Sequence, residues 1–171
     1  SHDLFVETIN SELANNYGNM ATRTSGMIKK YFGNVVPNFD EKSLTELDKK
    51  VLKADKNLVS SFKDKIENFA INDLLDAIQD QYNVLNKYID ESKPWVLAKD
   101  PSKKQVLSNV LNIIFTGTVN LMVLLKPILV NTSVVVEKAL NLTLNFDNLS
   151  KNWQGHKIGD LSPLFARIIE K

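Results

Sequence analysis

The segment INDLLDAIQDQYNVLNKYIDESKPW, residues 71–95, decides the fold. Ile71, Leu74, Leu75, Ile78, Tyr82, Leu85 and Ile89 recur at steps of three and four, the period of an α-helix with one apolar face. Proline disfavours helical geometry in the residue before it, so this helix ends near Lys93, ahead of Pro94. One amphipathic helix does not hold its apolar face in water alone, and the flanking sequence supplies partners of the same period.

Upstream, Ile9, Leu13, Tyr17, Met20, Thr24, Met27 and Tyr31 paint a stripe along a first helix of about 30 residues, which Gly33 and Pro37 end. Ser43-Leu44-Thr45-Glu46 reads as a capping box opening a second helix. Leu47, Val51, Leu58, Phe62, Ile66 and Phe69 carry its stripe. Downstream, Asp100-Pro101 starts a fourth helix, with the aspartate as N-cap and the proline in the first turn. That helix is apolar on most faces, and Pro127 breaks it. Val134 to Leu140 predicts a short fifth helix despite its β-branched run.

From Asn141 the pattern fades into a polar tail with Trp153 as an anchor. Ser162-Pro163 predicts one last capped turn, anchored by Leu164, Phe165 and Ile168. The expectation is an all-α bundle of about five helices over residues 1–140, with an extended C-terminal tail over 141–171.

Composition narrows function mainly by exclusion. The 171 residues are 43% apolar and 24% charged, ordinary values for a globular chain. There is no cysteine, which removes disulfides and thiolate metal sites and fits a reducing, cytoplasmic setting, an organellar one being left open. The stretch 106–130 carries Asn109, Asn112, Asn120, Lys126 and Pro127, so it reads as a buried helix and no membrane is expected. Asn131, Asn141 and Asn148 open N-x-S/T triplets, which carry little weight without a secretory signal. Ser1-His2 reads as the remnant of a removed tag.

His156 is then the single native histidine; it reads as a loop residue, and neither a Ser-His-Asp triad nor a histidine metal site is supported. No phosphate-cradling G-x-x-x-x-G-K-S/T loop or dinucleotide fingerprint is present. Carboxylate pairs such as Asp73/Asp76 lie on helix faces, where charge is ordinarily just solvated. No catalytic residue and no cofactor are expected in this stretch of chain.

Groups suited to binding are better represented. Asn19 and Arg23, four residues apart, project from one helix face, and an amide beside a guanidinium suits the edge of an unpaired base. Trp95 follows Pro94 at the break after the third helix, where an indole serves as a stacking platform. By spacing alone, a solvated polar pair and a tryptophan capping the core are the commoner outcomes. The formal charge of +1 gives no global field to attract nucleic acid, so any such binding rests on a local patch.

These residues resemble a family. Residues 12–24, ELANNYGNMATRT, resemble the opening helix of the anticodon-binding domain of methionyl-tRNA synthetases. Residues 86–95, NKYIDESKPW, are similar to that family's N-x-Y…P-W segment, the most specific piece. Residues 125–129, LKPIL, resemble its leucine-lysine-proline helix start, and Gly155-His156-Lys157-Ile158 with 163–168, PLFARI, its closing tail. The resemblance implies that Trp95 stacks on the first anticodon base, a cytosine. Asn19 and Arg23 then bond to its edge, Pro94 holds the platform, and Asn86 and Tyr88 support the same surface.

The resemblance also implies a longer parent, a methionine-tRNA ligase using ATP with Mg. Its partners would be methionine tRNA, through the anticodon loop, and its own catalytic domain. The nucleotide-binding fold with HIGH-like and KMSKS-like signatures and the zinc-binding insertion are missing from these residues. The tail from Asn141 to Lys171 is expected to fold back towards that catalytic domain. The competing readings are a structural or protein-interaction bundle, and the anticodon domain of a synthetase for isoleucine, valine, leucine or cysteine.

Overall fold

The computed structural model describes residues 2–68 and 70–159. The expected cap at Ser162-Pro163 with Leu164, Phe165 and Ile168, the ring of Phe69 and the side chains of Ile9 and Ile66 lie outside the described residues. The chain is an all-α bundle: α1 (His2–Phe32), α2 (Glu46–Glu67), α3 (Ile71–Ser92), a single turn α4 (Pro94–Leu97), α5 (Lys104–Leu125) and α6 (Val130–Leu140). Short 3₁₀ turns at Glu41–Ser43, Pro101–Lys103 and Phe146–Asn148 join them to each other and to the tail.

The centre is α5, buried along almost its whole length, with α1, α2, α3 and α4 around it and α6 packed on α1. By length and composition alone, Pro101–Leu125 would suit a membrane span, but the bundle encloses it. Four of its polar side chains, Ser108, Asn109, Asn112 and Asn120, explain the difference, because they reach the chain beyond their own helix. Asn112 donates Nδ2 to the Pro37 carbonyl at 2.9 Å. Asn109 receives the Asp40 amide at 2.8 Å and returns a bond to the Asp40 carbonyl at 3.1 Å. Ser108 donates to the Asn38 carbonyl. The loop between α1 and α2 is thus pinned to α5, where a buried loop would otherwise carry unpaired carbonyls. At Gly117 an added Cβ would stand 2.9 Å from a Leu85 methyl, so a larger residue there would push the Leu85 side chain aside.

Two boundaries differ from the sequence reading. The capping box sits two residues later than Ser43/Glu46: Asp48 receives the Thr45 amide at 3.0 Å, and Thr45 Oγ1 receives the Asp48 amide at 3.1 Å. Ser43 is drawn off by Asp40, to whose carboxylate its hydroxyl donates at 2.7 Å. The last helix starts at Val130 rather than Val134. Burial of Thr132, Ser133, Val136 and Leu140 outweighs the weak helix preference of its valines. Lys126, in the turn before it, pairs with Glu137 at 3.1 Å and donates to the Leu144 carbonyl at 2.8 Å.

The described part of the tail runs back over the bundle. Leu144, Trp153 and Ile158 are buried, with Trp153 edge-on to Phe115 at 6.2 Å. Val36 donates to the His156 carbonyl, Gly155 to Val36 and Ile158 to Asn34, an antiparallel clasp centred on Val35 and Lys157. His156 is half-buried, with Nε2 2.8 Å from the Leu140 carbonyl.

Asn120 joins three elements. Its Nδ2 donates to Asp55 of α2 at 2.6 Å, and its Oδ1 accepts the Ser150 amide of the tail at 2.8 Å. Burial pushes the Asp55 carboxyl from 3.8 up to about 6, against the opposing pull of the Asn120 bond. The folded protein therefore holds this proton to about pH 6, while the unfolded chain releases it near 3.8. In that window folding takes up a proton, so this group's contribution to stability falls as pH rises, by about 3 kcal/mol once pH exceeds 6. Asp55→Asn is expected to be more stable than the parent chain at pH 8 by up to that amount, with the gap closing below pH 4. Denaturant titrations at both pH values check this; a gap independent of pH refutes it.

Candidate nucleic-acid interface

The corner where α1, α3 and α4 meet is built around one strained residue. Lys93 ends α3 in the left-handed region, φ 49° and ψ 66°, and donates its amide to the Ile89 carbonyl. Pro94 disfavours the helical alternative at Lys93 and then starts α4 at its own favoured φ. The chain turns sharply and throws Trp95 onto the first turn of α4, while Leu97 and Ala98 pack inward. Pro94 is buried, but Trp95 is 38% exposed and Val96 49%, so the indole does not cap the core.

Arg23 comes to that indole from α1. Its guanidinium carbon stands 5.7 Å from the centre of the Trp95 ring, within cation–π range. It also faces Asp90 of α3 at 3.6 Å, too long for a hydrogen bond, between side chains that are 43% and 71% exposed. Such pairs contribute at most about 1 kcal/mol, so Asp90 aims Arg23 without locking it. Asn19 is exposed one turn earlier on the same face of α1. Among the described residues its amide has no hydrogen-bond partner. An aromatic face and a loosely held planar cation therefore meet on one surface, with an open amide one turn away along α1.

The other two candidates divide. Asn86 is half-buried, one turn before Asp90 on α3, along the same face. Tyr88 lies in the core, 1% exposed, and its hydroxyl donates to Asp48 Oδ1 at 2.6 Å. Burial first, and the Asp48 carboxylate second, push its phenol far above the ordinary range, so it stays a donor. Tyr88 thus ties α3 to the capping box of α2 beneath the surface. Sequence reasoning missed Asp90 because acidic residues on a helix are common; its place one turn after Asn86 was the available signal.

No protein-family model matches the chain. Individual proteins do. A methionine–tRNA ligase of Ureaplasma parvum is 36% identical over 99% of this chain and 33% of its own length. Those of Fusobacterium nucleatum and Bacillus subtilis are 34% and 33% identical over 97% and 96% of the chain, and 27% and 26% of their own lengths. The chain belongs to the methionyl-tRNA synthetase family. It spans a third or less of the length of these relatives. In fold, it superposes on a crystal structure of methionyl-tRNA synthetase from Mycobacterium tuberculosis with a TM-score of 0.82, over 96% of this chain and 34% of that one, at 23% identity.

Among the described residues of this synthetase segment, no group of three or more His, Cys, Asp or Glu side chains stands together to hold a metal. Nor does a phosphate-cradling glycine loop occur in the sequence. Tyr88→Phe is expected to destabilise the fold by about 1.5–3 kcal/mol, since it takes a bond from a buried carboxylate. Denaturant melts measure this; a change below 0.5 kcal/mol (roughly the surface-substitution range) would remove the assigned role.

Proposed function

We propose that this chain is the anticodon-reading module of a methionine–tRNA ligase. Trp95 receives the first anticodon base, the cytosine of methionine tRNA, on its exposed face. Arg23 and Asn19 hydrogen-bond to the edge of that base, Pro94 fixes the platform, and Asn86 lies beside it. Tyr88 serves from below. The single observation that carries this reading is Arg23 poised against the half-open indole of Trp95, with the Asn19 amide one turn away. Base stacking on such a ring contributes roughly 1–3 kcal/mol, and edge bonds from Arg and Asn then select the base.

The parent ligase joins methionine to its tRNA, and a structure of the mycobacterial relative is described as holding methionyl-adenylate. In this protein, ATP and Mg belong to the catalytic domain beyond these residues. The tail from Asn141 folds back towards that domain, which is a second partner besides tRNA. The whole works as a soluble cytoplasmic enzyme with no membrane role.

Trp95→Ala is expected to weaken binding of a methionine anticodon stem-loop by roughly 1–3 kcal/mol. Fluorescence titrations against stem-loops differing only in the first anticodon base measure both affinity and choice. Equal affinity for all four bases would instead favour a helical interaction module of another kind. Preference for an isoleucine, valine, leucine or cysteine anticodon would move the chain to a related synthetase.

A further inference from the structure

A cavity of about 250 Å³ adjoins the Trp95 corner, between the end of α1, the end of α4 and the start of α5. Lys30, Tyr31, Leu97, Asp100, Lys104 and Leu107 line it. Two observations join it to the base-reading surface. Lys30 lies seven residues beyond Arg23, two helical turns, so Asn19, Arg23 and Lys30 form one row along α1, and Lys30 stands about 10 Å from Arg23 along the axis. Leu97 comes from the same single turn, α4, that presents Trp95.

The charges in the cavity are selective. Lys30 and Lys104 bring two ammoniums and Asp100 one carboxylate, a net of +1. The Asp100 carboxylate is engaged by the amide and hydroxyl of Ser102, at 3.0 and 2.7 Å, and these bonds hold it below the usual carboxylate range, so it stays charged. A site of net +1 suits a singly charged phosphodiester better than a doubly charged terminal phosphate. The Tyr31 ring, beside the Lys30 ammonium at 5.6 Å, adds an aromatic wall, and Asp100 offers an acceptor to a sugar hydroxyl. The chain as a whole is nearly neutral, so this is the kind of local patch that RNA binding requires.

We propose that this cavity seats a backbone phosphodiester of the same RNA strand whose base stacks on Trp95, held by Lys30 and Lys104. The assignment rests on the anticodon-reading function and adds to it a grip that positions the strand without reading sequence. Lys30 and Lys104 are both exposed, so their replacement leaves the fold in place.

The test measures affinity of the chain for the cytosine-first stem-loop across a series of NaCl concentrations. Parent, Trp95→Ala, Lys30→Ala/Lys104→Ala and Lys30→Arg/Lys104→Arg are compared. The double alanine variant is expected to bind several-fold more weakly. Its slope of log affinity against log salt should be smaller by roughly 0.7 for each phosphate that the lysines neutralise in the parent. Its preference for the first anticodon base should be unchanged, and the double arginine variant should keep the parent slope. An unchanged slope and affinity in the double alanine variant, with Trp95→Ala still impaired, overturns the phosphate seat alone. Loss of binding only in the lysine variants supports the seat and removes the Trp95 reading. A parent chain that binds no stem-loop overturns both. Inorganic phosphate that displaces the RNA at matched ionic strength marks a general anion site and overturns the assignment to the strand.

Discussion

Helix α5 is enclosed along almost its whole length, and so its buried amides must find partners within the protein. That constraint organises the molecule. Asn109, Asn112 and Ser108 fasten the loop between α1 and α2, while Asn120 holds α2 and the tail at once. The apolar faces of α1, α2 and α3 and the body of α5 supply most of the burial, but non-directional burial does not select one arrangement of helices. The amides on α5 do, because a rotated or shifted helix would strand them without partners.

The Trp95 corner is fixed by this packing from behind. The single turn α4 rests on α5, α3 is tied to α2 by Tyr88 and Asp48, and α1 is tied to α3 by the Tyr17 hydroxyl on the Ile78 carbonyl at 3.1 Å. Rigid elements thus hold Pro94 and the base of the indole. The parts that would meet a partner, the Arg23 guanidinium, the Asn19 amide and the outer face of Trp95, are left exposed. This division between a locked frame and loosely held tips suits a ligand whose bases must be splayed out before they are read.

Much of this is legible in the residues. The stripes of α1 and α3 follow the helical period closely, and Pro94 marks the break between α3 and α4 by sterics alone. What the residues alone do not separate is local alternatives of nearly equal energy. Ser43/Glu46 and Thr45/Asp48 both offer a capping box, and the choice turns on Asp40 capturing the Ser43 hydroxyl. The periodic run begins at Val134, yet packing of Thr132 and Ser133 extends the helix back to Val130. At the candidate site, the shared face of Arg23 and Asn19 follows from four-residue spacing. The meeting of Arg23 with Trp95 does not, since it depends on how α1 crosses α3. Tyr88 belongs to the same motif as Trp95 but turns inward, a distinction set by the helical face and not by residue type.

The two-sided grip of Asn120 has a mechanical side. One amide answers at once to α2, through its nitrogen, and to the tail, through its oxygen. Were either neighbour to shift, the same amide would lose part of the bonding that its burial demands, so the seating of the tail on one flank and of α2 on another is held in common by a single side chain.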